Sequence, residues 1–163
     1  MLNYVIPFSG QRNFPSSADN SWLFEVEFSG RHVEIEINLV SGELAKGLAQ
    51  ARQIFPDLHL LDQKAREAIR HEFSREPSNS RYFVTYFEER YSSEEISEIF
   101  DTDSVIGVEE LLAAIELKVV SFHFGQNNEI AVLDYQLGEI ESDQILAVYF
   151  NRNGESVAVT MES

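Results

Sequence analysis

The chain has no cysteine. That excludes disulfides, thiolate catalysis and Cys-ligated zinc, and it fits a reducing compartment. Its eight glycines include no Gly-x-Gly pair, so phosphate-cradling loops of the dinucleotide or P-loop kind are absent. There is no Gly-x-Ser-x-Gly elbow and no His-Glu-x-x-His. No window approaches the roughly 18 apolar residues of a spanning helix. The start, Met1 to Pro7, shows neither a basic leader nor an apolar run of signal-peptide length. The expectation is a soluble cytoplasmic protein with no cofactor and no catalytic motif.

Positive charge is also scarce, and unevenly so. Residues 1–81 hold nine Lys/Arg against eleven Asp/Glu, whereas residues 82–163 hold three against seventeen. Of the formal net charge of -16, the second half therefore carries -14. A one-sided acidic field argues against a polyanion and for a cationic partner. The lack of clustered Lys/Arg argues against nucleic acid as a direct ligand, and an anionic membrane would repel this half.

What is present is a core. At 163 residues and 44% hydrophobic, with twelve Phe, one domain can bury enough apolar surface to offset the entropy of ordering. Residues 1–21 are Ser/Asn/Pro-rich and read as an irregular arm. Trp22, Phe24, Val26 and Phe28, then Val33, Ile35, Ile37 and Leu39, alternate with polar residues, the pattern of half-buried strands. Ser29-Gly30-Arg31 makes them a hairpin over 22–40. Helical spacing follows at Leu44, Leu48, Ala51 and Phe55, stopped by Pro56, and again over 57–75, giving two helices within 43–75. Residues 82–91 combine helical spacing of Tyr82, Phe83, Tyr86 and Phe87 with high β-propensity; the spacing favours a helix. Ser92 with Glu95 reads as a capping box, and Val108–Ile115 as another short helix, completing an acidic helical segment over 82–115. Residues 117–162 read as two hairpins, one turning at 125–128 and one at Asn153-Gly154. The fold class expected is α+β, a single domain. Its sheet is mainly antiparallel, built from N- and C-terminal hairpins, with the central helices on one face.

Four residue sets carry candidate chemistry. His32 and His123 with Glu34 would make a strand-borne metal site, although nothing in their spacing demands one. Asp101-Thr102-Asp103-Ser104 opens like a calcium loop but fails its test, with Gly107 at loop position 7 and Leu112 at position 12; it reads as a helix break. Asp134, Glu139, Glu141 and Asp143 cluster in sequence, and a hydrolase using Asp134 and Asp143 would need burial to separate their pKa values. The densest acidic stretch is 88–116. Its candidate partner-binding residues are Glu88, Glu89, Glu94, Glu95, Glu98, Asp101, Asp103, Glu109 and Glu110, with Tyr86 and Tyr91 as aromatic anchors. Some of these acids sit favourably at helix N-termini, which is reason enough for their presence there. The lack of Lys beside them is not explained that way, and steering of a basic partner would explain it.

The series Ile130–Leu137 containing Asp134-Tyr135, Ser142-Asp143-Gln144-Ile145-Leu146, Asn153-Gly154 and the terminal Glu162-Ser163 resembles a family of small bacterial α+β proteins known only as a domain of unknown function. The likeness is clearest over about 108–163 and weaker over 22–75. Such families recur as immunity proteins beside secretion-system toxins. The resemblance therefore implies an immunity protein, not an enzyme. It would bind a cognate, basic, nuclease-type toxin and occlude its active site, as a monomer or homodimer. A carboxylate-based hydrolase and a homodimeric interaction domain stand as alternatives.

Overall fold

A computed structural model describes residues 2–125, 128–138 and 140–163. The first departure from the sequence reading comes at once. Residues expected as an irregular arm form a hairpin of β1 (Leu2–Ile6) and β2 (Gly10–Phe14). Phe8 and Gly10 take positive φ values of 66° and 71° to close its turn. Only Ile6 and Phe14 of these strands are fully buried, so the periodic signal was too short to read. A lone hairpin is marginal in water; this one is held by packing. The Phe14 ring lies 5.1 Å from Tyr4 and from Trp22 and 5.0 Å from Phe24.

The main sheet has six strands in the order β3 (Ser21–Phe28), β4 (Arg31–Leu39), β5 (Ile115–Phe124), β6 (Glu129–Leu137), β7 (Ile145–Asn151) and β8 (Ser156–Glu162). Ser29 and Gly30, both at positive φ, form the two-residue turn between β3 and β4. The sheet is antiparallel except where β4 runs parallel to β5, with Ile35 opposite Val120. A parallel pair needs a long crossover. Here it contains α1 (Leu44–Ile54), α2 (Leu58–Phe73), α3 (Asn79–Glu88), α4 (Ser93–Phe100) and α5 (Val108–Ala114). The last four strands form one continuous meander, where the sequence suggested two separate hairpins. Gln126 and Asn127 of the expected 125–128 turn lie outside the described residues, as does Glu139.

Residues 82–91 contribute to a helix, and local chemistry explains why β-propensity loses. Asp57 caps α2 by accepting from the Leu60 N–H, and Ser78 caps α3 by accepting from the Arg81 N–H. The Glu72 carboxylate at the end of α2 also accepts from the backbone N–H of Asn79 and Ser80. Orphan donors of the first turn of α3 are thus satisfied before any packing is counted. Phe83, Val84 and Phe87 then bury one face. The capping box of Ser92 and Glu95 is present at α4 as read from sequence.

Helices α1, α2 and α3 pack against the sheet, and α4 and α5 pack against α3 and α2. Ile35, Val120, Leu133, Val148 and Phe150 point into this layer, against Leu48, Leu61, Ala65, Ile69 and Phe83. Each of these side chains larger than Ala65 contributes about 1.5–3 kcal/mol by leaving water. The opposite side of the sheet is polar, with exposed Glu25, Glu27 and Glu34 among smaller and half-buried residues.

Candidate functional site

Folding sorts the acidic stretch into spent and unspent charges. Glu109 at the start of α5 holds Arg70 of α2 through two bonds of 2.9 and 3.1 Å. The Arg70 hydrogen bond lowers the Glu109 carboxyl below the usual range. Glu116, on β5, pairs with Arg31 and with Lys118. Glu110 accepts from the Gly107 N–H, Glu95 from the Ser92 N–H, and Asp103 from the Ser97 hydroxyl. Asp101 takes the left-handed position that ends α4, at φ 50°. Glu89 approaches Arg90 at 3.7 Å. Among the described residues Glu88, Glu94 and Glu98 have neither an ion pair nor a hydrogen-bond partner for their carboxylates.

Those three meet in one place. A cavity of about 610 Å³ between the end of α3 and α4 is lined by Glu88, Glu94 and Glu98, with Tyr91, Ile96 and Asp103. Glu94 and Glu98 are one helical turn apart and share a face. Tyr91 is half-buried and packs 6.1 Å from Phe87, so its ring is already ordered. Tyr86 lies under the Arg90 guanidinium, 3.5 Å from ring to cation. The groove is an acidic rim around an aromatic and aliphatic wall, a surface shaped for a cation on an apolar stem. Tyr86, Glu89, Glu95, Asp101, Glu109 and Glu110 do not line it.

A second cluster was not foreseen. On the polar side of the sheet a cavity of about 320 Å³ is lined by Ser121, His123, Glu129, Asp134, Tyr149 and Glu162, with Val132 at its base. Ser121 donates to Glu36 at 2.9 Å. Tyr149 and Thr160 donate to one oxygen of Glu162, at 2.5 and 2.6 Å. Burial, then Glu162 and Glu36, push the Asp134 carboxyl up to about 6. Burial lowers the His123 imidazole, against the opposing pull of Glu36. Burial and the Glu162 hydrogen bond push the Tyr149 phenol up to about 12. Ser121 is hydrogen-bonded to Glu36 and not to His123, so the imidazole does not prime it as a nucleophile. Alternation along each strand was the available signal for these residues. Joining them required the registers of the β5–β8 meander, and the parallel β4–β5 pairing adds Glu36 opposite Ser121.

The remaining sequence candidates are not assembled. Asp143 lies in the loop before β7, where it accepts from its neighbour Gln144 at 3.0 Å. The carboxylates acting on Asp134 are Glu162 and Glu36, so the structure does not make an Asp134–Asp143 pair. Glu139 lies outside the described residues. His123 stands opposite Asn38 on β4, whereas His32 stands six residues earlier on that strand, about 20 Å away at strand rise. The strand-borne metal site is thereby ruled out geometrically. No group of three His, Asp or Glu that could hold a metal occurs among the described residues. Among the described residues no helix is long and apolar enough to cross a membrane. No family model, no curated protein and no solved structure matches the chain.

Proposed function

We propose that the chain is an immunity-type protein that binds a basic, nuclease-type toxin in the bacterial cytoplasm and occludes its active site. The observation that carries this reading is the groove of α3 and α4. Its three acids have no internal cation, in a fold that pairs several of their neighbours. Unpaired like charges cost stability through self-repulsion. A partner that supplies Lys or Arg relieves that cost and is drawn in from a distance. Tyr91 and Ile96 offer the ordered apolar contact that such an interface needs at its centre.

The test is kinetic. The chain and the product of its neighbouring gene are purified together, and association is measured from about 0.05 to 0.5 M salt. Reversing Glu88, Glu94 and Glu98 to Lys slows association by roughly tenfold or more at low salt, with little change at high salt. The fold is retained, because none of the three makes an internal bond; relief of their repulsion raises stability while the loss of Glu94 from the first turn of α4 lowers it. No complex with that product, or an association rate indifferent to the reversals, would sink the reading. A hydrolase has one observation in its favour, the raised Asp134 carboxyl in its shallow cavity, but it lacks the second acid that sequence assigned to it.

A further inference from the structure

The six-stranded sheet ends on two edges, and the fold treats them differently. At one end α3 packs against β8, and the Asn79 side chain donates to the Val159 carbonyl at 2.9 Å. At the other end β3 pairs only with β4. Ser29 and Gly30 are both at positive φ, so Phe28 and Arg31 close a two-residue turn as a hydrogen-bonded pair. Such pairs recur at every second position of an antiparallel ladder, here Val26 with Val33 and Phe24 with Ile35. The N–H and C=O groups of Leu23, Glu25 and Glu27 therefore point away from β4. Among the described residues no other backbone group bonds to them. An edge of eight residues without proline or bulge is an open template for another strand.

The side chains along this edge decide which strand fits. Leu23, Glu25 and Glu27 are exposed on the polar side of the sheet, Leu23 at 58%. Glu34 stands directly opposite Glu25 on β4, and Glu36 opposite Leu23. The cation at the turn, Arg31, is taken by Glu116. On the other side Trp22, Phe24, Val26 and Phe28 are only half-buried. An incoming strand would cover this apolar row with one face and meet the acids with the other. Opposite charges across a strand pair stabilise it and like charges do the reverse. A second copy of β3 would bring Glu25 and Glu27 against their own kind, so charge complementarity selects a basic strand instead.

We infer that β3 accepts, antiparallel, an extended segment of a partner protein that alternates Lys or Arg with apolar residues, its cations opposite Glu25 and Glu27. This is strand addition, in which the main chain supplies affinity and alternate side chains supply specificity. The surface shares no residue with the α3–α4 groove, so it stands or falls independently of that reading. The test uses a synthetic peptide of alternating Val and Lys, about as long as β3, at concentrations where it does not self-associate. Calorimetry should show one peptide per chain, bound at least tenfold tighter than a Val/Glu counterpart. Attraction by the net charge of -16 alone is separated by backbone methylation, which leaves charge unchanged. In antiparallel pairing the Lys N–H groups face β3 and the Val N–H groups face away. Methylating the Lys nitrogens should abolish binding, and methylating the Val nitrogens should leave it; any other order overturns the inference, as does the absence of saturable binding. Leu23→Pro removes one outward N–H and no charge, a change an edge strand tolerates, and should weaken the peptide at least tenfold. Glu25→Lys with Glu27→Lys should reverse the preference between the two peptides. Undiminished binding to Leu23→Pro, or an unchanged preference in the double variant, overturns the inference. A dimer in sedimentation that Leu23→Pro splits would assign the edge to a second copy and overturn it too.

Discussion

Asp134→Asn should stabilise the protein at neutral pH and do nothing for it in acid. Asp134 sits on β6 between Val119 and Ala147, partly buried, with Glu36 and Glu162 as its charged neighbours. Its carboxyl is raised from 3.8 to about 6, by burial first and the two carboxylates second. A raised folded-state value means the fold prefers the protonated form. The contribution to stability is therefore fully present below the unfolded value near 3.8 and is lost as pH rises through 6. The lift is about two decades of proton affinity, worth about 3 kcal/mol at 1.36 kcal/mol each. Solvent screening at a partly exposed site halves this to about 1.5 kcal/mol. Asn keeps the shape, removes the charge, and gives Glu36 and Glu162 a donor. Urea unfolding of both proteins from pH 4 to 8 is the assay, and the difference between them is the quantity read. That difference cancels the general repulsion of an acidic chain. The variant should gain about 1.5 kcal/mol at pH 7.5, shrinking towards zero by pH 4. A gain that persists unchanged at pH 4, or no gain at pH 7.5, would falsify the account of this cluster.

Two more substitutions test the scaffold. Glu72→Ala removes an acceptor from the backbone N–H of Asn79 and Ser80 and from the hydroxyls of Ser78 and Ser80; urea unfolding should show a loss of about 2–4 kcal/mol, and a loss under about 0.5 kcal/mol would mean α3 caps itself. Tyr135→Phe deletes a fully buried hydroxyl that donates to Asp62 at 2.6 Å, and should cost about 1–3 kcal/mol in the same assay; a neutral outcome would show that Arg66 alone satisfies Asp62.

The α+β layering was legible because it rests on short-range periodicity. Trp22 to Phe28 and Val33 to Leu39 alternate and become β3 and β4, and Ser92 with Glu95 caps α4 as its spacing says. What was not legible depends on distant chain. The parallel pairing of β4 with β5 joins Glu34 to Val119 across the entire helical segment. The hairpin β1–β2 owes its existence to rings contributed by β3. The same division runs through the sites. Glu88, Glu94, Glu98 and Tyr91 could be found as charge and aromatic content in one short segment. That Glu109 is spent on Arg70 could not, since the two stand 39 residues apart and only the packing of α2 on α5 joins them. The environment of Asp134 comes from four strands and was invisible for that reason.

The charge asymmetry of the sequence is partly undone by the fold, and the direction of that undoing matters. Cations of the first half are folded onto the second. Arg31 reaches Glu116 and Arg70 reaches Glu109. Arg66 pairs with Asp62 and donates to the carbonyl of Leu112 at 2.6 Å, tying α2 to the end of α5. These contacts lie around the junction of α2, α5 and β5, where the parallel crossover closes. Three cations are committed where the long connection must be tethered, and α4 carries none. A residual acidic groove follows from where the cations are needed as much as from where the acids are placed.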